Sequence, residues 1–132
     1  MNLVACPVAL HPDGAQRRIA VCLHPQHGPR LISTAVAGQD DPTDVAARIL
    51  YALSALETRA ALPIGSTPDI TEGDEWHFAL CRIVPPVRER WQHLSKADNA
   101  LLQFTWMPLD DTPIAGFDPR DLRALAWLKA AL

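Results

Sequence analysis

The sequence predicts an α/β (α+β) protein in which helices pack on a mixed β-sheet. Three observations predict this class. Apolar runs rich in β-branched and aromatic residues occur near the N-terminus and again in the second half of the chain, as strands do. Two segments open with the pattern Asp-Pro-x-Asp and continue with apolar residues at helical spacing. The order is therefore several strands, a helix, more strands and a final helix.

Length and composition favour one soluble domain over residues 1–132, because domains cluster around 100 to 150 residues. The net charge of −3, with 12 basic and 15 acidic residues spread along the chain, gives no electrostatic footprint for nucleic acid. The N-terminal apolar run is broken by Pro7 and lacks a preceding basic residue, unlike a signal peptide. No segment reaches the ~20 apolar residues of a membrane span. We expect a cytoplasmic protein without nucleic-acid or membrane partners.

The N-terminal third reads as a hairpin followed by a short extended piece. The runs NLVACPVAL and RRIAVCLHP flank HPDGAQ, whose Pro-Asp-Gly is turn chemistry. Pro7 cannot donate a ladder hydrogen bond, which predicts an edge strand or a bulge there. HPQHGPR is then a loop, and LISTAVAG leads to the first helix. The three cysteines, Cys6, Cys22 and Cys81, lie in apolar stretches and are expected to be free and buried.

Both helices are predicted from their entry signals. Asp41 is the expected N-cap of a helix over 41–57, with a proline in the first turn and Asp44 at the capping-box position. Asp118 and Asp121 occupy the same two positions in the last segment, DPRDLRALAWLKAAL. Between the helices, LPIGSTPDITEG is expected to be irregular and DEWHFALCRIV to be a strand. RERWQHLSKADN then serves as a charged connection to the strand ALLQFTW, and LDDTPIAGF forms a loop.

The first helix is amphipathic, with a broad apolar face. Advancing ~100° per residue places its alanine, valine, leucine and isoleucine side chains within an arc of roughly 160°. Asp44, Arg48, Tyr51 and Ser54 fall on the opposite face. Such a stripe normally docks on a core.

The element order, together with WHFALCRI, RWQHL and an aromatic strand ending FTWMPL, resembles the Nudix (MutT-like) hydrolase family. The resemblance implies a Nudix-like α/β/α sandwich. The family's box runs G-x5-E-x7-R-E-U-x-E-E-x-G-U, where U is a bulky apolar residue. Laid without gaps over residues 34–56, it matches at Arg48, Leu50 and Leu56, and it places Asp40 at the first glutamate.

The departures from the box affect its chemistry. Thr34 and Ala55 stand where the family has glycines. Ile49, Ala52 and Leu53 stand where the family has the three helix glutamates that, by the resemblance, hold magnesium and activate water. Magnesium requires oxygen ligands, and hydrocarbon side chains supply none. We therefore expect a degenerate box, with no catalytic residue, no bound metal and no cofactor.

Two functions of different class follow. The favoured one is a pseudoenzyme, a non-catalytic module that binds a nucleotide-like small molecule or another partner. The alternative is a magnesium-dependent hydrolase of nucleoside diphosphate derivatives that uses relocated carboxylates, with Asp40, Arg48 and Glu57 as residual candidates. Family members often dimerise, so the resemblance also makes a homodimer an expectation.

Three further side chains have two interpretations each. Arg48 is either a solvent-facing arginine that packs its stem or a surviving part of the box scaffold. His77 is either a structural histidine or a ligand-binding one. Trp91, in the charged connection, either packs in the core or lies at a cleft mouth or dimer contact. His77 and Trp91 are the candidate ligand-binding residues.

Overall fold

The computed structural model describes residues 1–97 and 99–132, which form eight strands and two helices. The strands in chain order are β1 (Asn2–Leu10), β2 (Arg18–His24), β3 (Gly28–Arg30), β4 (Thr34–Ala35), β5 (Thr58–Thr67), β6 (Asp74–Ile83), β7 (Arg90–Ser95) and β8 (Ala100–Pro108). The helices are α1 (Pro42–Ser54) and α2 (Pro119–Ala131). The order of strands and helices matches the predicted class.

The strands form one mixed sheet in the order β5-β6-β1-β2-β8-β7, with β3 attached to β2 and β4 attached to β1. The strands β1 and β6 run parallel along their whole length, and the other pairs are antiparallel. Parallel strands require a long crossover connection, and the connection between β1 and β6 contains α1. The helix of this connection packs against the sheet.

The two helices cover opposite faces of the sheet. Side chains alternate along β1, so that Cys6 and Val8 enter the core under α2 while Ala9 enters the core under α1. We call these the α2-side core and the α1-side core. Ala5 also faces α1, where it packs with Ala46 of the helix. The predicted α/β/α sandwich with a mixed sheet is confirmed.

Three sequence-based boundaries were wrong for reasons of sheet geometry. The expected loop HPQHGPR contains β3, and the first half of the segment LPIGSTPDITEG, which was expected to be irregular, belongs to β5. β5 is an edge strand with register shifts between Thr58 and Ala60 and between Pro63 and Gly65, and such irregular edges accommodate proline and glycine. The expected connection RERWQHLSKADN contains β7, so Trp91 lies in a strand and not in a loop.

Pro7 does not mark an edge strand. β1 is an interior strand, and Pro7 is paired with Ala79 of β6 on one side. On the other side it lies between the residues that pair with β4, ending at Ala5, and Leu10, which pairs with β2. A proline is tolerated there because the neighbouring ladder is interrupted.

The helix N-caps are confirmed, whereas the capping box of α2 is not. Asp41 accepts a hydrogen bond from the Thr43 backbone N–H at 2.8 Å, and Asp118 accepts one from the Arg120 N–H at 3.0 Å. The Asp121 carboxylate returns no hydrogen bond to the helix start, because it is turned into the protein interior. The prediction that Asp121 completes a capping box is therefore wrong.

The three cysteines are free and buried, as predicted, and burial raises the pKa of the Cys6 and Cys81 thiols. No helix within the described residues is long and apolar enough to cross a membrane.

Candidate functional site

An open groove of about 300 Å³ lies along α1, and we call it the box groove. Every residue that lines it falls within the stretch that the sequence aligns with the Nudix box. These residues are Thr34, Ala35, Ala37, Asp40, Val45, Arg48, Ile49 and Ala52. A concave surface therefore lies at the position where the resemblance places catalytic chemistry.

The three positions that the alignment assigns to glutamates carry apolar side chains, which either pack in the core or line the groove. Ile49 and Leu53 are half-buried and pack against the α1-side core. Ala52 is exposed and lines the box groove together with Ile49. Leu53 is thus a core residue, whereas Ile49 belongs to both the core and the groove wall. None of these positions offers an oxygen to a divalent ion.

The polar groups of the box groove are Asp40 and Arg48, with the Thr34 hydroxyl. The Arg48 Nη2 lies 3.8 Å from Asp40 Oδ2, and both side chains are more than half exposed, at 68% and 54%. An ion pair of this length and exposure is weak. The Arg48 guanidinium is therefore accessible to an anionic group in the groove.

Asp40 and Glu57 lie at opposite ends of α1. Asp40 precedes the helix, and Glu57 follows its last residue, Ser54. A helix of 13 residues is roughly 20 Å long at 1.5 Å per residue. One magnesium ion, whose ligands sit at about 2.1 Å, cannot be coordinated by both carboxylates.

The C-terminal end of α1 is closed by an unusual backbone conformation. Ala55 adopts a left-handed conformation with φ of 63°, and its N–H donates to the Tyr51 carbonyl at 2.8 Å. The Ser54 hydroxyl donates to the Leu50 carbonyl and accepts from the Leu56 N–H. A left-handed residue after a helix is most often glycine, because a Cβ is strained there.

Two side chains of β7 bind carbonyl oxygens of the same helix end. The Trp91 indole N–H donates to the Ser54 carbonyl at 2.8 Å, and His93 Nδ1 lies 3.2 Å from the Leu53 carbonyl. These carbonyls belong to the last turn, where no intrahelical donor remains. Sequence reasoning missed this role of Trp91 and His93. The feature of the sequence that could have indicated this role is the spacing of the two residues, because residues two apart in a strand lie on one face.

Trp91 also lines a second groove, of about 450 Å³, at the end of α1. Its ring stacks on Phe104, with centroids 5.4 Å apart and planes at 16°. Glu57, Pro86 and Arg88 are among the other residues that line this groove. Trp91 therefore packs against the α1-side core and also lines a groove, and its indole N–H already donates to the end of α1.

His77 lies in a third cavity, of about 240 Å³, near the start of α1. Thr43 and Ser66 also line it, and Ser66 is the cross-strand partner of His77. The His77 Nε2 lies 2.8 Å from Glu75 Oε1 but makes no hydrogen bond to a described residue. This contact is an ion pair when the histidine is protonated.

His77 and Trp91 do not share a site. They lie on β6 and β7, which are separated by four strand spacings in the sheet order, roughly 19 Å at ~4.8 Å per spacing. A role in ligand binding for either residue stays a prediction, and it concerns two different cavities.

The described residues contain no group of three or more His, Cys, Asp or Glu side chains placed to hold a metal ion. Together with the hydrocarbon at Ile49, Ala52 and Leu53, this donor set does not fit magnesium at the box groove.

Comparison with solved structures identifies the architecture. The Nudix domain of NrtR from Shewanella oneidensis, in a cocrystal structure with ADP-ribose, matches with a TM-score of 0.65 and 12% sequence identity. The match covers 97% of this chain and 86% of that one. The chain has the Nudix fold.

No protein-family model and no curated protein sequence matches the chain. At 12% identity the structural likeness concerns the fold. A shared fold does not determine function, which depends on the side chains of this chain's own grooves.

Proposed function

We propose that this protein is a member of the Nudix superfamily with a degenerate box, which binds a nucleotide-like small molecule in the box groove without metal-dependent hydrolysis. The observation that carries the proposal is the composition of the groove. It is formed entirely by the box-aligned stretch, yet alanine and aliphatic side chains replace the carboxylates at its wall.

The left-handed conformation of Ala55 supports the alignment on which this proposal depends. The box has a glycine at the position of Ala55, and glycine is the residue that adopts positive φ without strain. The backbone conformation at this position is thus one that favours the residue expected from the box. The same alignment assigns Ile49, Ala52 and Leu53 to the glutamates.

Arg48 is the group expected to recognise the ligand. Its guanidinium is largely exposed, lines the groove and is only weakly paired with Asp40. Guanidinium binds phosphate through two parallel hydrogen bonds and needs no metal to do so. The ADP-ribose bound by the NrtR Nudix domain is a ligand of this chemical kind, with two phosphates between two sugars.

The proposal is tested by calorimetric titration with ADP-ribose, with and without magnesium, and by an assay for its hydrolysis. We expect saturable binding that does not require magnesium, with no turnover. Arg48→Ala should weaken binding by about tenfold or more, as the loss of a charge-assisted hydrogen bond does. Arg90→Ala, which removes an exposed arginine that lines none of the grooves described above, should leave binding unchanged.

The same assays distinguish the non-catalytic binding protein from the alternative, a magnesium-dependent hydrolase. Saturable magnesium binding with turnover, abolished by Asp40→Ala or by Glu57→Ala, would overturn the pseudoenzyme. Because the two carboxylates lie at opposite ends of α1, each variant tests a separate relocated site. Absence of ADP-ribose binding, with and without magnesium, would reject the nucleotide-like ligand.

We also propose that the protein acts in the cytoplasm as a homodimer. The three free, buried thiols are compatible with a reducing compartment. Light scattering coupled to size-exclusion chromatography tests the dimer, and a monomer over a wide concentration range would reject it.

A further inference from the structure

A cavity of about 350 Å³ lies at the start of α2, on the face of the sheet opposite to α1. We call it the Asp121 cavity. His27, Arg30, Asp118, Arg120 and Asp121 line it, together with Pro29. None of these residues lines the box groove, so the cavity is independent of the function proposed above.

Asp121 is the residue that makes this cavity more than a helix N-terminus. Its side chain is only 1% exposed, and neither carboxylate oxygen has a hydrogen-bond partner among the described residues. The nearest cation is the neighbouring Arg120, whose Nε lies 3.7 Å from Oδ1 in an ion pair that is not a hydrogen bond. Buried polar groups are nearly always hydrogen-bonded, and an unpaired one calls for a specific explanation.

The burial has an energetic consequence for the carboxylate. Desolvation raises the pKa of Asp121 to about 6, and Asp118 acts in the same direction. Arg120, Arg30 and the backbone N–H of Leu31 lower the pKa, although the Leu31 N–H does not reach hydrogen-bond geometry. Nearby cations therefore do not compensate the carboxylate for its loss of water, and a ligand that donates hydrogen bonds to it would.

The other groups around the cavity define a second half of the site. Arg30 and Arg120, two permanently charged residues, both line the cavity. The Arg120 guanidinium carbon is 5.9 Å from the centroid of the Trp76 ring, and this contact helps to hold its position. Asp118 is engaged at the helix N-cap by the Arg120 N–H. The cavity thus combines one buried carboxylate that lacks hydrogen bonds with two cations, one of which is in a long ion pair with it.

A ligand that carries only one kind of charge is both attracted and repelled in such a cavity. An anion is repelled by Asp121, and a cation is repelled by the arginines. A ligand that carries a positive and a negative group can pair with both. We propose that the Asp121 cavity binds a small zwitterionic molecule of the α-amino acid type, with its ammonium group on Asp121 and its acid group on Arg30 and Arg120.

The experiment is thermal unfolding of the full chain at pH 7.5 with each α-amino acid in turn at millimolar concentration. Calorimetry then measures the affinity of the amino acids that raise Tm. The proposal expects one or a few of them to bind. The N-acetylated form of the same molecule, which lacks the ammonium, and its methyl ester, which lacks the acid, should each bind about tenfold more weakly or worse.

Two variants assign the contacts. Asp121→Asn should weaken binding of the amino acid by about tenfold or more, and Arg30→Gln should do the same. In Arg30→Gln, replacing the amino acid by its ester should cost less affinity than it does in the wild type, because the variant already lacks one of the two partners of the acid group. The matched control is Asp44→Asn, at the equivalent position of α1, and it should bind as the wild type does.

The proposal is overturned if no amino acid raises Tm, or if the N-acetylated form binds as tightly as the parent molecule. It is also overturned if Asp121→Asn folds and binds with unchanged affinity. These outcomes leave the ADP-ribose titration unaffected, because the two cavities share no lining residue.

Discussion

The two helices begin with the same four-residue motif, but its last residue lies in opposite environments. Both open with Asp-Pro-x-Asp, and in both the first aspartate caps the second helical N–H, at 2.8 Å in α1 and 3.0 Å in α2. The fourth residue then differs. Asp44 is exposed at the start of α1, whereas Asp121 is buried at the start of α2.

The difference separates a local property from a tertiary one. The N-cap depends on backbone geometry within one turn, so the same residues at the same positions form the same hydrogen bond. The environment of the fourth carboxylate depends on which face of the helix meets the sheet. In α2 that face also carries Ala124, Leu125 and Leu128, which belong to the α2-side core, and Asp121 enters the interior with them.

The largest effect is expected from removing the buried charge by Asp121→Asn. Between the ordinary aspartate pKa near 4 and the raised pKa of about 6, the folded state binds a proton that the unfolded state releases. Stability therefore falls as the pH rises through this range, and the full penalty is present above it. At pH 8 the variant should raise the free energy of unfolding by about 1–2 kcal/mol, less than the full shift because the amide is also unpaired.

Urea denaturation at pH 4 and at pH 8 measures this effect. The gain should nearly vanish at pH 4, where Asp121 of the folded wild type is protonated and carries no charge to be removed. The charged and titratable groups near Asp121 are Cys6 on β1, Arg30 on β3, and Asp118 and Arg120 on α2, with His27 across the cavity. Asp44→Asn is the matched control and should change stability by less than about 0.5 kcal/mol. Equal effects of the two variants would remove the distinction between the helices.

Much of this molecule follows from patterns that act over a few residues. The two helix entries, the strand DEWHFALCRIV and the order of strands and helices were all predicted, because capping and periodicity are local signals. β5 and β7 were missed because their edge positions tolerate Pro63, Gly65 and charged residues that a central strand would exclude.

The features of the site also divide into local ones, which the sequence indicates, and long-range ones, which it does not. The box alignment covers a contiguous stretch, residues 34–56, and the structure shows that the residues lining the groove along α1 lie within it. The contacts of Trp91 and His93 with the end of α1 join residues about 40 positions apart, and the burial of Asp121 depends on packing against β1 and β3. The spacing of Trp91 and His93 places both on one face of a strand, but a short window of sequence does not show which element that face contacts.

An intermediate effect is expected at the two N-caps. Asp41→Ala should destabilise the protein by about 1 kcal/mol, the usual cost of losing a cap. Asp118→Ala loses the same bond but also removes one of the groups that raise the pKa of Asp121. Its cost at pH 8 should therefore be smaller than that of Asp41→Ala. Urea denaturation at pH 8 and pH 4 tests this, since the two costs should converge at pH 4.

The smallest effect is expected at the end of α1, where sequence and backbone conformation disagree. Ala55 holds a left-handed conformation that costs an L-residue about 1 kcal/mol, and Ala55→Gly relieves it. The greater freedom of glycine in the unfolded chain offsets part of the gain, so the free energy of unfolding should rise by about 0.5 kcal/mol. Ala131→Gly, near the end of α2, is the control and should be neutral or destabilising, because Ala131 is helical. Destabilisation by Ala55→Gly would show that this position does not need the glycine conformation, and it would weaken the box alignment and the assignment of Ile49, Ala52 and Leu53 that rests on it.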